Sequence, residues 1–310
     1  AFPDQRRVIA ALRALELGVV LDVKMTATAR LAHYAFGCKL SLEKPGTSRT
    51  AEGQLDIPFA QYTPAILQPD FDVIEEWEFF WGLARRMRTP LVLDDGRRLD
   101  LDRMPSPDEY LDITHAGSRV PLDDVRAHPG GRVFEPAEPV RVLSGRAQLR
   151  SARLNVAPDA IVAQLAEIRA EPFCAGGGYR GDARFTHRLI SRRSLEIYNS
   201  TGDHLPRLRR RSPSSAAFMH PLDLDRLGVR SGDVVRIESD HAFIDAVAEA
   251  SADVAPGVIS MAHARSGIPQ DGSELEHGST NRLVSTERDF EPISGIPRQS
   301  AIPVNVRRVD

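Results

Sequence analysis

The side chains best suited to bind a ligand lie in one short stretch of the chain. Ser191, Arg192 and Arg193 close a predicted strand, and Asn199 and Ser200 follow a few positions later. Guanidinium groups offer paired N–H donors to anionic groups, and hydroxyl and amide groups add further hydrogen bonds. The combination predicts either a site for an anionic, polar ligand or a strand end that is held by salt bridges.

His263 is a second candidate of the same kind. It follows a predicted strand at residues 258–262. A histidine at a strand end can donate a hydrogen bond to a ligand, or it can be a structural residue whose ring is satisfied by the protein itself. The residue pattern leaves both alternatives open.

No pattern in the sequence is typical of nucleophilic catalysis or of a metal held by protein ligands. A Gly-x-Ser-x-Gly motif is absent, and the nine histidines include no His-x-x-x-His pair. Cys38 and Cys174 are far apart and belong to no Cys-x-x-Cys pair, so neither a zinc nor an iron–sulfur site is predicted. We therefore predict no catalytic residue and no metal ligand in this chain. The two cysteines are expected to be unpaired thiols in a reducing cytoplasm.

Composition is that of an ordinary globular protein. The chain has 310 residues, of which 42% are hydrophobic and 27% charged. A formal net charge of −3 argues against a nucleic-acid partner. No run of about 20 apolar residues is present, so no membrane partner is predicted and the expected location is the cytoplasm.

The first part of the chain has the pattern of a doubly wound α/β unit. Residues 7–17 show helical apolar spacing, residues 18–23 form an apolar strand predicted to be buried on both faces, and residues 26–35 form an Ala-rich helix. Ligands of such sheets bind beyond the carboxyl ends of the strands. Asp22 and Thr26 stand at that end and are therefore candidate binding residues.

Three regions follow one another along the chain. They are an α/β segment at residues 1–90, an irregular connecting region at 91–183 and a β-rich domain at 184–310. The strongest helix of the first region spans residues 72–87, and its aromatic side chains are predicted to face a core. In the β-rich domain, short strands joined by turns are predicted at residues 185–190, 234–239, 243–248 and 258–262.

Residues 217–239 carry the most informative pattern, a capped helix followed by a tight turn and a buried strand. Pro221 suits the first turn of a helix, where its missing N–H costs nothing. Gly228 stands where a helix end favours positive φ, and residues 234–237 supply a β-branched strand. Taken alone, the pattern is that of a plain helix–turn–strand connector.

The order of these motifs resembles the C-terminal part of the molybdopterin-guanine-dinucleotide oxidoreductases, the family of formate dehydrogenases, nitrate reductases and sulfoxide (DMSO) reductases. Residues 19–32 resemble the strand–loop–helix of the family's third domain, where an Asp and a Thr approach the dinucleotide. Residues 189–200 resemble the opening of its fourth, pterin-binding domain, and residues 217–239 a signature within that domain. Further similar segments are 43–47, 256–258, 281–283 and 297–298.

The resemblance implies a fold class and a set of binding residues. It implies an α/β protein in which a partial Rossmann-like segment is followed by a double-psi β-barrel that binds a molybdopterin guanine dinucleotide carrying Mo or W. Seven or more polar side chains are then expected to line one crevice at the barrel's edge, with Asp22 and Thr26 facing it across the domain boundary. The cofactor-binding residues that the resemblance assigns are Asp22, Thr26, Ser191, Arg192, Arg193, Asn199, Ser200, His263, Asn281 and Arg298.

The sequence also departs from the family pattern. The N-terminal cysteine cluster, the metal-ligating Cys, selenocysteine or Ser, and the second domain are missing, and His33 and Arg265 stand where the family has other residues. The expected function is therefore the cofactor-binding portion of a formate dehydrogenase-like oxidoreductase, a fragment inactive alone, whose catalytic half lies on another chain or was lost. The alternative is a non-catalytic remnant or scaffold with no redox role.

Overall fold

The structure, a computed structural model, describes most of the chain. The described residues are 2–48, 57–135, 155–170, 184–199, 201–202, 204–211, 215–263 and 278–309. They divide into two compact units, one made of residues 17–153 and the other of residues 1–16 together with 154–310. The N-terminal segment is grouped with the β-rich unit, and the three regions divided at residues 90 and 183 stay a prediction.

The described residues form eight α-helices, one 3₁₀ helix and twelve strands. The α-helices are α1 (Gln5–Arg13), α2 (Ala27–Leu31), α3 (Glu76–Met87), α4 (Pro107–His115), α5 (Leu122–Arg126), α6 (Asp159–Ala170), α7 (Pro206–Arg211) and α8 (Pro221–Leu227), and a 3₁₀ helix covers Thr280–Leu283. The strands are β1 (Val19–Asp22), β2 (Tyr34–Gly37), β3 (Gly46–Thr47), β4 (Phe59–Ala60), β5 (Tyr62–Thr63), β6 (Arg132–Val133), β7 (His187–Arg192), β8 (Ala217–Met219), β9 (Val234–Glu238), β10 (Phe243–Ala250), β11 (Val258–Ala262) and β12 (Ile302–Arg308). Within the described ranges, no helix combines the length and the apolar content needed to cross a membrane.

In the unit of residues 17–153, β1 and β2 pair in parallel with Asp22 opposite Gly37. Val19 is 37% exposed, so the prediction that this strand is buried on both faces is wrong. Burial on both faces needs a layer of helices on each side of a sheet. Among the described helices, α2 is the one that packs closely against β1. The Rossmann-like arrangement of this unit stays a prediction.

Helix α3 confirms the strongest helix predicted from the sequence, with a later start. The predicted first residue was Asp72, but the N-cap is Glu75, whose backbone N–H is bonded by a glutamate three positions on. Trp81 is buried and donates its indole N–H to the carbonyl of Asp100 at 2.8 Å. Phe80 is 54% exposed. The aromatic side chains of this helix therefore face the core only in part.

The β-rich unit contains a closed six-stranded barrel. Around the barrel the strands follow the order β10, β8, β11, β7, β12, β9, and β9 pairs again with β10. Two neighbouring pairs, β7 with β11 and β8 with β10, are parallel, and the remaining pairs are antiparallel. A closed barrel leaves no edge strand free for pairing with other chains.

The barrel has an internal two-fold symmetry of topology. Exchanging the first three strands, β7–β9, for the last three, β10–β12, leaves both the cyclic order and the sense of every pairing unchanged. Strand β7 corresponds to β10, β8 to β11 and β9 to β12. This order fits the double-psi barrel that the sequence resemblance implies.

Alternating side chains of the strands fill the barrel. Leu189, Ile237, Ile244, Ile259 and Val304 are 0% exposed and belong to one apolar cluster. Burying such side chains stabilises the fold by about 1.5–3 kcal/mol each. The inward residues of β9 and β10 alternate with less buried ones, as the period of two in a strand requires.

Helix α8 confirms the helix predicted within residues 217–239. It begins with Pro221 in its first turn, and the imidazole Nδ1 of His220 accepts the backbone N–H of Leu222 at 3.1 Å. It ends at Gly228, whose φ of 64° belongs to the left-handed region that glycine adopts without strain. Strand β9 follows at the predicted place.

Candidate functional site

A polar crevice of about 320 Å³ opens at the edge of the barrel where β7 and β11 end. The two strands run in parallel with Arg192 opposite Ala262, so Arg193 and His263 leave the sheet side by side. The crevice is lined by Ser191, Arg192, Arg193, Asn199, His263, Asn281 and Gln299. Six of these side chains were predicted from the sequence as cofactor-binding residues, and the structure brings these six together.

Arg192 forms one wall of the crevice. Its guanidinium donates to the carbonyl of Ser260 at 2.6 Å and lies 4.1 Å from the ring centroid of Phe218. Burial lowers the pKa of this guanidinium from its ordinary value, and Glu249 acts in the opposite direction. Arginine stays protonated at physiological pH regardless. Among the described residues, backbone and ring contacts thus hold Arg192 at the strand end.

Arg193, Asn199 and His263 form a connected hydrogen-bond chain across the crevice. The Arg193 guanidinium donates to Asn199 Oδ1 at 3.3 Å, and His263 Nε2 lies 3.3 Å from the same oxygen. His263 Nδ1 lies 3.0 Å from the carbonyl oxygen of Arg192. Both ring contacts are hydrogen bonds only when each ring nitrogen carries a proton, because neither oxygen can donate.

Asn199 reaches this position because of an unusual backbone conformation. Its φ is 52°, in the left-handed region that asparagine tolerates better than most residues. The residue sits on a tight turn in which the backbone N–H and C=O groups of Tyr198 and Thr201 bond to each other at 2.9–3.0 Å. The turn therefore presents the amide of Asn199 to Arg193 and His263.

Two further lining residues, Asn281 and Gln299, come from segments that are remote in sequence from β7. The Ser191 hydroxyl donates to the carbonyl of Gln299 at 3.2 Å. The backbone N–H of Asn281 is bonded by the hydroxyl of Ser279 at 3.4 Å, which caps the 3₁₀ helix. The crevice is thus formed by four separate segments of the chain.

The charge of the lining is one-sided. Among the lining residues that the structure describes, there are the guanidinium groups of Arg192 and Arg193 and the imidazole of His263, but no carboxylate. The other side chains are amides and a hydroxyl, which both donate and accept hydrogen bonds. This donor set fits a ligand that joins an anionic group to a ring system rich in N–H and C=O groups.

The remaining predicted residues lie elsewhere. Arg298 is exposed next to the lining, and its backbone N–H donates to the carbonyl of Asp289 at 2.8 Å. Ser200 lies outside the described residues. Asp22 and Thr26 belong to the other compact unit, where Asp22 Oδ1 accepts the N–H of Val23 at 2.8 Å and the Thr26 hydroxyl accepts that of Ala29 at 3.3 Å.

Gln299 is the lining residue that sequence reasoning missed. It lies in an irregular segment just before β12, directly after the predicted Arg298. Its neighbour in sequence was the available signal, and the Ser191 hydroxyl holds the segment in place through the backbone carbonyl of Gln299. In the part of the chain that the structure describes, no three His, Cys, Asp or Glu side chains are grouped so that they could hold a metal ion. Cys38 is buried as a free thiol, and Cys174 lies outside the described residues.

Comparison with known proteins agrees with this geometry. Residues 188–303 match the family described as the molydopterin dinucleotide binding domain. The chain is 21% identical over 328 residues to the dimethyl sulfoxide reductase DmsA of Haemophilus influenzae, covering 95% of this chain and 38% of that protein. It is 25% identical over 259 residues to the NADPH-Fe(3+) oxidoreductase subunit alpha of Geobacter sulfurreducens, covering 84% of this chain and 25% of that protein.

A solved structure shares the fold over almost the whole chain. Acetylene hydratase from Pelobacter acetylenicus aligns with a TM-score of 0.68 and 18% identity, over 99% of this chain and 42% of that one. The chain therefore spans between 25% and 42% of the length of these relatives. Residues 188–303 belong to the molydopterin dinucleotide binding domain family, and the chain is related to the C-terminal part of molybdopterin-dependent oxidoreductases.

Proposed function

We propose that the crevice binds a molybdopterin guanine dinucleotide, and that the chain is the cofactor-binding part of a Mo- or W-dependent oxidoreductase. One observation carries the proposal: six residues chosen for this role from the sequence line a single crevice, and the charged groups among its described lining residues are basic. That crevice lies inside the domain whose family is described by the same ligand. A random scatter of six such residues over the barrel would have argued against it.

The donor set suggests how the ligand is divided along the crevice. Arg192 and Arg193 are suited to the phosphate groups of the dinucleotide, because guanidinium forks match phosphate oxygens. Asn199, Asn281 and Gln299 are suited to ring N–H and C=O groups, since an amide both donates and accepts. The bound cofactor supplies the metal for redox chemistry, and the protein supplies orientation and charge.

Three further roles remain proposals. Asp22 stands at the carboxyl end of β1 and Thr26 caps α2, which supports a part for both at the dinucleotide. Arg298 directly precedes the lining residue Gln299 in sequence, which supports a part for it at the same ligand. We also place the protein in the cytoplasm, which the buried free thiol of Cys38 supports.

The reaction of the whole enzyme is a separate question. The names of the relatives describe dimethyl sulfoxide reduction, electron transfer from NADPH to Fe(3+), and acetylene hydration. We propose a formate dehydrogenase-like parent enzyme, as the sequence resemblance implies, and no turnover by this chain alone. Turnover of formate by the purified chain would contradict the second part.

Binding is tested directly by measuring cofactor content and affinity. The chain is purified from a host that makes the dinucleotide, and its Mo, W and pterin contents are measured. The apo chain is then titrated with guanosine diphosphate, the nucleotide end of the cofactor, by calorimetry. Replacing a charge-assisted contact in Arg193→Gln should weaken binding by about tenfold or more.

A matched control separates site effects from charge effects. Arg307→Gln makes the same chemical change on β12, at an exposed residue that does not line the crevice. Its affinity should stay within about twofold of the wild type, because isolated exposed charges contribute little. Equal losses in both variants would show that only general charge matters. Absence of pterin and of nucleotide binding in the wild type would instead favour a scaffold with no redox role.

A further inference from the structure

The N-terminal arm, residues 2–13, is bound to the same unit as the crevice, although no residue of α1 is buried. Two polar side chains at its start make the contacts. Asp4 is 3% exposed, and its Oδ1 lies 3.1 Å from Nε2 of His241. Gln5 Oε1 accepts a hydrogen bond of 2.5 Å from the guanidinium Nε of Arg282. Buried polar groups at the start of the arm therefore help to hold it in place.

Two partners of the arm, Arg282 and Thr286, belong to the segment that also contains the lining residue Asn281. Arg282 is 1% exposed and follows Asn281 in the 3₁₀ helix. Four residues further on, the Thr286 hydroxyl donates to Asp4 Oδ2 at 3.3 Å. From the barrel, the Ser239 hydroxyl donates to the carbonyl of Leu283 at 3.0 Å. Residues 279–286 are thus clamped between the arm and the barrel.

Buried groups of this kind are sensitive to the loss of a partner. A guanidinium that is 1% exposed has lost almost all its water, so its hydrogen bonds to protein acceptors are needed for stability. Burial alone raises the pKa of the Asp4 carboxyl, but the hydrogen bond and the charge of His241 bring that pKa below its ordinary value. The carboxylate is therefore charged when it accepts from Thr286.

We propose that Asp4 and Gln5 are positioning residues of the crevice, because they fix the segment that holds Asn281 in the lining. The inference rests on the proposed function for the identity of the ligand. It concerns the arm itself, which the sequence patterns had assigned to the α/β segment with β1. In this view the N-terminal arm is a part of the binding site that never touches the ligand.

Hydrogen exchange on the apo protein tests the positioning role without any cofactor. In Gln5→Ala, the backbone N–H groups of Asn281 and Arg282, which donate to the hydroxyl and carbonyl of Ser279, should exchange about tenfold faster. Exchange in β9 and β10 should be unchanged. Gln5→Glu keeps an acceptor for Arg282 and should restore slow exchange.

The binding consequence is measured with the same variants. Guanosine diphosphate should bind Gln5→Ala roughly threefold to thirtyfold more weakly than the wild type, while Gln5→Glu binds normally. Arg7→Ala is the matched control on the same arm. Its ion pair with Glu287 is exposed on both sides, so its loss should change neither exchange nor binding appreciably.

The outcomes distinguish the two proposals. Unchanged exchange at residues 279–286 in Gln5→Ala would overturn the positioning role. Faster exchange with undiminished binding would show that the arm holds the segment but that Asn281 contributes nothing to the ligand, which also overturns it. A wild type that binds no nucleotide would contradict the proposed function, and the exchange data would still decide whether the arm fixes this segment.

Discussion

Two histidines stand at related places in the barrel and do different work. His220 follows β8 and His263 follows β11, and the internal symmetry exchanges these strands. His220 caps α8 with its Nδ1, whereas both ring nitrogens of His263 face oxygen atoms at the crevice. The same residue type after equivalent strands is structural in one half and part of the candidate site in the other.

The surroundings of the two histidines explain the difference. Helix α8 follows His220 in sequence and contains Asp223, which is 3% exposed. The Asp223 carboxylate accepts the backbone N–H of Gly257, just before β11, at 2.6 Å. Among the described residues that line the crevice with His263 there are two guanidinium groups and no carboxylate. A strand-end histidine is therefore interpreted best from what the neighbouring segments bring to it, an acid and a helix in one case and basic groups in the other.

The largest effect is expected on stability, from Asp223 in the helix that follows His220. Asp223→Ala leaves the N–H of Gly257 without its acceptor and should lower the free energy of unfolding by about 3 kcal/mol. Asp225→Ala, at an exposed position of the same helix, should change it by less than about 0.5 kcal/mol. Urea denaturation measures both. If the folded Asp223→Ala variant bound the nucleotide more weakly while its stability was unchanged, Asp223 would not be a purely structural residue.

The second largest effect is expected on nucleotide binding, from His263 in the crevice. His263→Ala removes one link of the chain formed with Asn199 and Arg193, and should weaken the binding of guanosine diphosphate by about tenfold. The unfolding free energy should change by less than about 1 kcal/mol, because the ring is only partly buried. Calorimetric titration and urea denaturation of the same sample measure the two quantities. A large loss of stability with unchanged affinity would make His263 another structural histidine.

His220→Ala should show the opposite behaviour. Loss of an N-cap contact costs about 1 kcal/mol of stability, and nucleotide binding should stay at the wild-type level. His220→Asn supplies another capping side chain and should recover most of the stability. Thermal denaturation with and without guanosine diphosphate measures both. A variant that binds the nucleotide less well would show that the two histidines are not separated in function.

The smallest effect is a dependence of stability on pH that arises from His187, which lies near Asp223. Burial lowers the pKa of His187, although Asp223 nearby acts to raise it. A lowered pKa favours the neutral ring in the folded state, so its contribution is full above about pH 6.5 and is lost as the pH falls from there through the lowered pKa. The melting temperature between pH 8 and pH 5 should therefore fall less in His187→Gln than in the wild type. Identical pH profiles would contradict this.

Much of the barrel could be predicted because its signals are local. Pro221 and Gly228 mark the two ends of α8, and β-branched residues mark β9. The polar residues of the crevice were found because Ser191, Arg192 and His263 stand at or just after strand ends. Such features depend on neighbours in sequence, so patterns a few residues long contain them.

What the sequence could not provide depends on contacts between remote segments. Gln299 joins the lining through an irregular stretch with no periodicity, and α1 has an apolar pattern that favours packing on β1. The polar contacts of Asp4 and Gln5 decide its place instead. The exposure of Val19 likewise follows from which helices cover the sheet, a property of the assembled unit and not of the strand.

The strand order of the barrel has a consequence for how the protein folds. Strand β7, the first of the barrel, pairs with β11 and β12, the last two. Such long-range pairing makes folding slow, because the barrel closes only when β11 and β12 reach β7. Arg192 and Gln299 meet only on closure, so a ligand that needs both selects completed barrels and stabilises them by mass action. A bound ligand would thus stabilise the closed barrel relative to incompletely folded chains.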